Sequence, residues 1–210
     1  MGVGRSVGIP SIDVVDDLLA IGPALQAAIA RGRTDVELRE IASTWTEYAA
    51  RIRAVADVVV FRAELVDHVP SALKVRALRA AGARTIVVAD RPSRQHRARL
   101  TSTGAYVVLT RSDDLDALLR AVGGGSPTRR DADPELPILP DVHLSDRQLQ
   151  VACLFAGRTA PSSERIARWL GLPVSSVRTH LQRARRALGA TNREQLRARL
   201  IEGGWMAADA

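Results

Sequence analysis

Along the first 122 residues the hydrophobic pattern switches repeatedly between two periods. Short apolar runs of strand type fall at Ile12–Val15, near Val36–Ile41, at Asp57–Phe61, at Thr85–Ala89 and at Tyr106–Leu109, and segments of helical spacing fill the gaps. Thr44 followed three residues later by Glu47 has the form of a capping box, and predicts a helix with Trp45, Tyr48, Ile52 and Val55 on its apolar face. Ser112, Asp113 and Asp114 predict the start of another, carrying Leu115, Leu118 and Leu119. The strand runs are too apolar to have a wet face. Strand and helix in alternation, five times over, therefore predict a parallel sheet covered on both sides, a doubly wound α/β domain over residues 1–122.

The pattern then breaks. From Gly123 to Pro140 the chain reads GGGSPTRRDADPELPILP, rich in glycine, proline and charge and without either period, which predicts a partly extended tether over 123–142. Beyond it the spacing is helical only. LSDRQLQVACLFAG predicts a helix opened by a box of Ser145 and Gln148 and ended by Gly157. Ile166, Ala167 and Leu170 line a short helix that Gly171 ends; Leu172 packs the turn, and Pro173 leads into a second helix with Val177, Leu181 and Leu188 inward. Two short helices across a tight turn, the second rich in arginine, make the helix-turn-helix plan for entering a DNA major groove, here in an all-α domain over 143–210.

Composition narrows the classes. A chain of 210 residues with 46% apolar and 25% charged positions is long enough for two small cored domains. Runs such as IVVA and VVVF are too short to span a bilayer and no leader pattern opens the chain, so a cytoplasmic protein without a membrane partner is expected. With Cys153 as the sole cysteine, neither an intrachain disulfide nor a cysteine zinc cage can form; its setting in LQVACLFAG predicts a core thiol. The net charge is +7, and from Glu164 to Arg199 nine arginines stand against two glutamates. Such a density suits counterion release from nucleic-acid phosphates. His68, His96 and His143 have no second ligand at metal spacing, and neither a nucleophile–base pair nor a glycine-rich phosphate loop is visible, so no metal, cofactor or catalytic residue is expected and the chain does not read as an enzyme. Trp169 and Trp205 read as core or dimer contacts.

In sheets of this kind chemistry sits at the carboxyl ends of the strands. There, residues 11–122 resemble a bacterial response-regulator receiver domain, the flavodoxin-like module that accepts a phosphoryl group from a histidine kinase. In that family the first strand ends in two acidic residues that hold magnesium, the third in the phosphorylated aspartate, the fourth in serine or threonine and the fifth in lysine. On that pattern IDVVDD supplies Asp16 and Asp17, DVVVFR puts Arg62 at the phosphoacceptor position, TIVVA puts Ala89 at the hydroxyl position, and GAYVVLTR puts Arg111 at the lysine position. An arginine cannot accept the phosphoryl group, and its permanent charge beside two carboxylates takes the space of the metal. The expectation is that aspartyl-phosphate switching is lost and that Arg62 pairs with Asp16 and Asp17, locking the site; Glu64 reads as a polar loop residue.

From Leu144 to Leu200 the chain resembles the DNA-binding domain of LuxR/NarL-type regulators. The resemblance rests on the opening LSDRQ, the Ile166–Ala167 pair, the run Ser176, Val177, Arg178, Thr179, His180, and the later LGATNR; the loop between Gly157 and Ile166 is a few residues longer than that pattern. It implies Arg178, Thr179 and Gln182 as groove-facing residues, suited to guanine, the thymine methyl and adenine respectively. Arg183, Arg185 and Arg186 then read as phosphate clamps, and His180 as a packed or phosphate-bonded histidine. LGLPVSSVRTHLQRARRAL is also similar to the promoter-reading domain of extracytoplasmic-function sigma factors, but LGATNREQLRARL supplies the further helix by which LuxR-type domains pair, and the α/β first half is unlike a sigma factor. The expectation is an orphan response regulator binding palindromic double-stranded DNA as a homodimer and meeting RNA polymerase. Its altered receiver is alternatively a sensor for a small-molecule or protein ligand.

Overall fold

The computed structural model describes residues 9–125 and 137–208, so the middle of the tether read from Gly123 to Pro140 lies outside the described residues. Five strands and nine helices are present among them: β1 (Ser11–Val15), α1 (Ile21–Ala30), β2 (Glu37–Ala42), α2 (Trp45–Arg51), β3 (Val58–Arg62), α3 (Ser71–Ala80), β4 (Arg84–Ala89), α4 (Arg94–Thr103), β5 (Val107–Thr110), α5 (Leu115–Val122), α6 (Asp146–Ala156), α7 (Ser163–Leu170), α8 (Val174–Leu188) and α9 (Arg193–Glu202). The chain divides into two compact units. One is drawn from Met1–Asp67, Ala77–Asp90 and Gly104–Ala132, the other from His68–Arg76, Arg91–Thr103 and Asp133–Ala210.

In the first unit all five strands are parallel, in the order β2-β1-β3-β4-β5. Parallel pairing gathers every carboxyl end on one edge, and the register sets Arg62 level with Val88. One face of the sheet, with Ile12, Val14, Val58, Val60, Ile86 and Leu109, packs on Leu25 and Ala28 of α1 and on Leu118, Leu119 and Val122 of α5. On the other face Asp13 interrupts the apolar run of β1. It is fully buried, and its Oδ2 accepts from the Tyr48 hydroxyl at 2.9 Å and from the Ala56 amide at 3.2 Å. A buried carboxylate is tolerated only where donors meet it. Burial, and then the Asp13 charge, raises the Tyr48 hydroxyl well above its ordinary value, so it stays a donor.

Two helix expectations need correction. The Thr44 side chain accepts from the Glu47 amide as a cap should, but the Glu47 carboxylate reaches back to the amide and hydroxyl of Ser43. The reciprocal half of the box is thus displaced by one residue. α2 also ends at Arg51: Ile52 is already extended (φ −68°, ψ 131°), so Val55 lies outside the helix and Tyr48 is its buried residue. The chain must straighten there to enter β3. α5 starts from Asp114, whose carboxylate accepts from the Ala117 amide.

The second unit is helical. Ser145 and Gln148 make both halves of the capping box of α6. Leu149, Val151, Ala152, Ile166, Val177, Leu181, Leu196 and Leu200 form its core, and α7 turns into α8 through Gly171 at φ +61°. Arg99 of α4 donates to the Gly203 carbonyl at 2.8 Å and lies over the buried Trp205 ring at 4.2 Å, while His96 Nδ1 is 2.9 Å from the Gly204 oxygen. Gly204 has φ +74°, and a Cβ there would stand 2.1 Å from the Gln95 carbonyl oxygen, so only glycine fits. Among the described residues no helix is long and apolar enough to cross a membrane.

Candidate functional site

At the carboxyl edge of the sheet the side chains sort differently from the expectation. Asp16 does not meet Arg62. It is fully buried, and its carboxylate accepts from the amides of Leu18 (3.0 Å), Ala20 (2.7 Å) and Ile21 (2.8 Å), organising the loop into α1. In that loop Leu19 takes φ +52°, a conformation that costs a non-glycine residue about 1 kcal/mol. Asp17 is the residue that pairs with Arg62, through Oδ1 and Nη1. Neighbouring residues leave a strand end in opposite directions, so one carboxylate faces the loop and the other the guanidinium.

Arg62 gathers two further acids. Its Nη2 lies 3.3 Å from Asp90 Oδ2 and 3.8 Å from Glu64 Oε2, and its side chain is only 9% exposed. Glu64 is therefore part of the cluster and more than a polar loop residue: its Oε1 also accepts from the Asp90 amide at 2.9 Å. Burial, with Asp90 adding to it, pushes the Glu64 carboxyl above the usual range. For Arg62 burial opposes the charge, but Asp17, Asp90 and Glu64 outweigh it and raise its pKa further. Arg111, just beyond β5 and exposed, reaches Asp90 from the other side at 3.7 Å, and Ala89 ends β4 with a buried methyl and no hydroxyl. These residues do not fit the magnesium ion of the receiver pattern. Asp16 has committed both oxygens to backbone donors, Asp17 is held by a fixed cation, and among the described residues no group of three His, Cys, Asp or Glu is placed to hold a metal. Asp90 went unread in the sequence, although it follows the apolar run of β4 as Arg62 closes that of β3.

In the second unit α8 presents a continuous exposed stripe of Ser175, Arg178, Thr179, Gln182, Arg183 and Arg186, opposite its buried Val177, Leu181, Ala184 and Leu188. The spacing of three and four residues is that of one helix face. Thr179 is exposed and donates its hydroxyl to the Ser175 carbonyl at 2.9 Å. Arg185 lies half-buried on one flank, its guanidinium 5.0 Å from the centre of the Phe155 ring. Arg193 of α9 covers the same ring at 3.9 Å and donates to the carbonyls of Ala160 (3.2 Å) and Pro161 (2.9 Å), fixing the long loop between α6 and α7. An open cleft of about 490 Å³ runs along this flank, with Phe155 and Leu181 on its floor and Ser163, Arg178, Gln182 and Arg186 on its rim.

His180 is half-buried on the opposite flank, and its shielded Nδ1 has no hydrogen-bond partner among the described residues. Burial, then the charges of Arg147 and Arg183, holds its pKa below the histidine norm. Trp169 stacks on His68 at 4.3 Å and carries Arg165 at 5.1 Å, which makes it a packing residue. Cys153 packs against the core, and burial pushes its thiol up to about 12, far from a reactive thiolate. Arg178 itself forms an ion pair with Glu164 of α7 at 3.0 Å.

No family model matches the chain, and no curated protein matches it. Solved structures do. The chain is similar to the RcsB response regulator of Salmonella typhimurium in a structure on conformational dynamism for DNA interaction, at 14% identity and TM-score 0.62, over 94% of this chain and 99% of that one. It is also similar to RcsB from Salmonella enterica serovar Typhimurium bound to promoter P1flhDC with the phosphomimetic BeF3- (14% identity, TM-score 0.58, 92% and 98% covered). A third is the same protein on promoter rprA (13%, TM-score 0.57, 92% and 99%). At such identity the likeness establishes the fold: a flavodoxin-like α/β unit with a five-stranded parallel sheet, followed by a helical helix-turn-helix unit, as in those RcsB structures.

Proposed function

We propose that the chain is a sequence-specific transcription regulator, an atypical response regulator that binds palindromic double-stranded DNA as a homodimer and is not switched by aspartyl phosphorylation. The observation that carries the DNA reading is the exposed stripe of α8, where groove-reading side chains (Arg178, Thr179, Gln182) alternate with cations suited to phosphate (Arg183, Arg186). The promoter complexes of its structural neighbours support the same reading. One such helix contacts few base pairs, and pairing of two copies through the α9 region doubles the site. Arg62 at the end of β3, tied to Asp17, Asp90 and Glu64, supports a receiver that neither binds the metal nor takes the phosphoryl group. The protein acts where the chromosome is, in the cytoplasm, and without a catalytic step of its own.

Leu18, Leu19 and Val66, exposed at 53%, 55% and 89% on loops at the same edge, favour a protein ligand as the controlling input of this unit. The test is selection of duplexes from a random pool followed by anisotropy titration. Arg178→Ala should cost about 1–3 kcal/mol at one base step, whereas Arg186→Ala should weaken all sequences alike and flatten the salt dependence. BeF3- with magnesium should leave every affinity unchanged. Equal losses at all sequences for both variants would remove the assigned reading face, and a rise in affinity with BeF3- would remove the phosphorylation-independent reading.

A further inference from the structure

Resting on the DNA-binding reading above, the geometry points to Glu164 as a specificity-determining positioning residue: its carboxylate orients Arg178 for one base step and opposes binding wherever that step is wrong. Glu164 lies in the first turn of α7, beside Ser163 on the rim of the cleft that borders the α8 stripe. Its Oε1 accepts from Arg178 Nη2 at 3.0 Å, across the turn that joins the two helices. It is the acid that the structure sets against Arg178 of this surface: between Glu164 and Glu194 the sequence holds no other acidic residue, and Arg178 and Arg186 line the same cleft rim.

Three physical consequences follow from that placement. An unattached arginine must freeze a long, rotamer-rich stem to present its fork to a base, and a partner that fixes the stem beforehand lowers that cost. Glu164 engages Nη2, one of whose hydrogens is one of the five N–H donors, so four donors remain, more than the two that guanine O6 and N7 accept. Finally, a carboxylate facing the DNA repels phosphate. Where Arg178 finds guanine the carboxylate is kept neutralised by the arginine; where the arginine is drawn to a phosphate instead, Glu164 loses its partner against a negative surface. Glu164 remains ionised in this setting, since its own amide, the Ser162 hydroxyl and then Arg178 hold its carboxyl below the usual range. The pair contributes little to folding, because both side chains are more than half exposed. Its effect is therefore on which DNA is bound.

The experiment uses the full-length protein, with Glu164→Gln, Glu164→Asp and Arg178→Ala variants. Each is titrated against the selected duplex, the same duplex altered at the step that Arg178→Ala identifies, and an unrelated duplex, over a range of KCl concentrations. Glu164→Gln should reduce preference at that one step by about tenfold, while binding the unrelated duplex more tightly than wild type. Glu164→Asp, which keeps the charge on a shorter arm, should restore the repulsion and part of the preference. Parallel shifts on all duplexes, or an unchanged preference in Glu164→Gln, would overturn the assignment of Glu164 alone. Failure of the wild-type protein to prefer any duplex, or of Arg178→Ala to change any base step, would instead overturn the reading on which it rests.

Discussion

Replacing Arg62 by methionine deletes the guanidinium and keeps an apolar stem of similar length, so it isolates the charge. The remaining carboxylates of Asp17, Glu64 and Asp90 then face one another without their shared cation. Breaking a fully buried pair by removing one partner costs about 3–5 kcal/mol, because an uncompensated charge is left in a low-dielectric site. Here the arginine side chain is 9% exposed, but the three acids retain 23–28% exposure, so water compensates part of the loss. The expected cost is about 2–3 kcal/mol, a large fraction of the stability of an ordinary domain. Urea unfolding at pH 7 measures the total, and hydrogen exchange of the β3 and β4 amides locates it in the sheet. Added KCl should recover part of it, since residual repulsion between partly exposed acids is screened. A loss below about 0.5 kcal/mol, or protection changes elsewhere than β3 and β4, would refute the view that Arg62 holds this edge together.

Glu64 offers a pH test. Its carboxyl is raised in the folded protein, so the fold favours the protonated form, and that contribution is present at low pH and lost as pH rises through the folded value. Glu64→Gln should therefore have a higher urea midpoint than wild type at pH 7, and the two should converge in mild acid. Tyr48→Phe removes one of the two donors to the buried Asp13 carboxylate and should cost about 1.5–3 kcal/mol in urea unfolding. Arg193→Ala frees the carbonyls of Ala160 and Pro161; hydrogen exchange over residues 158–163 should quicken about tenfold or more while α6 keeps its protection.

The elements that could be read from the sequence are those whose cause is local. The run VVVF and the Ser145–Gln148 box declare β3 and α6 within a few residues, and Gly171 marks the end of α7 because a left-handed residue is needed there. α2 was read too long, since Ile52 and Val55 continue the helical period while the approach to β3 pulls the backbone straight. Asp13 was passed over because a lone acid in a strand looks misplaced until Tyr48 and the Ala56 amide arrive from other parts of the chain. At the sheet edge the strand ends were found, but not the direction each side chain takes from them. That is why Asp16 and Asp17 were given one role, when one holds a loop and the other a guanidinium. Glu64 and Asp90 meet only through the register of β3 on β4, and Glu164 meets Arg178 only where two helices cross.

A metal ion bridging carboxylates comes and goes: its occupancy follows its concentration, and a site built on it reports the state of its surroundings. The guanidinium of Arg62 is bonded to the chain that it neutralises. It has no off-rate, no competitor of the same valence can displace it by mass action, and it is present in every copy from the moment of synthesis. The positive charge at this edge is thus a constant of the molecule, and any input that reaches the edge must act on something other than the occupancy of that cation.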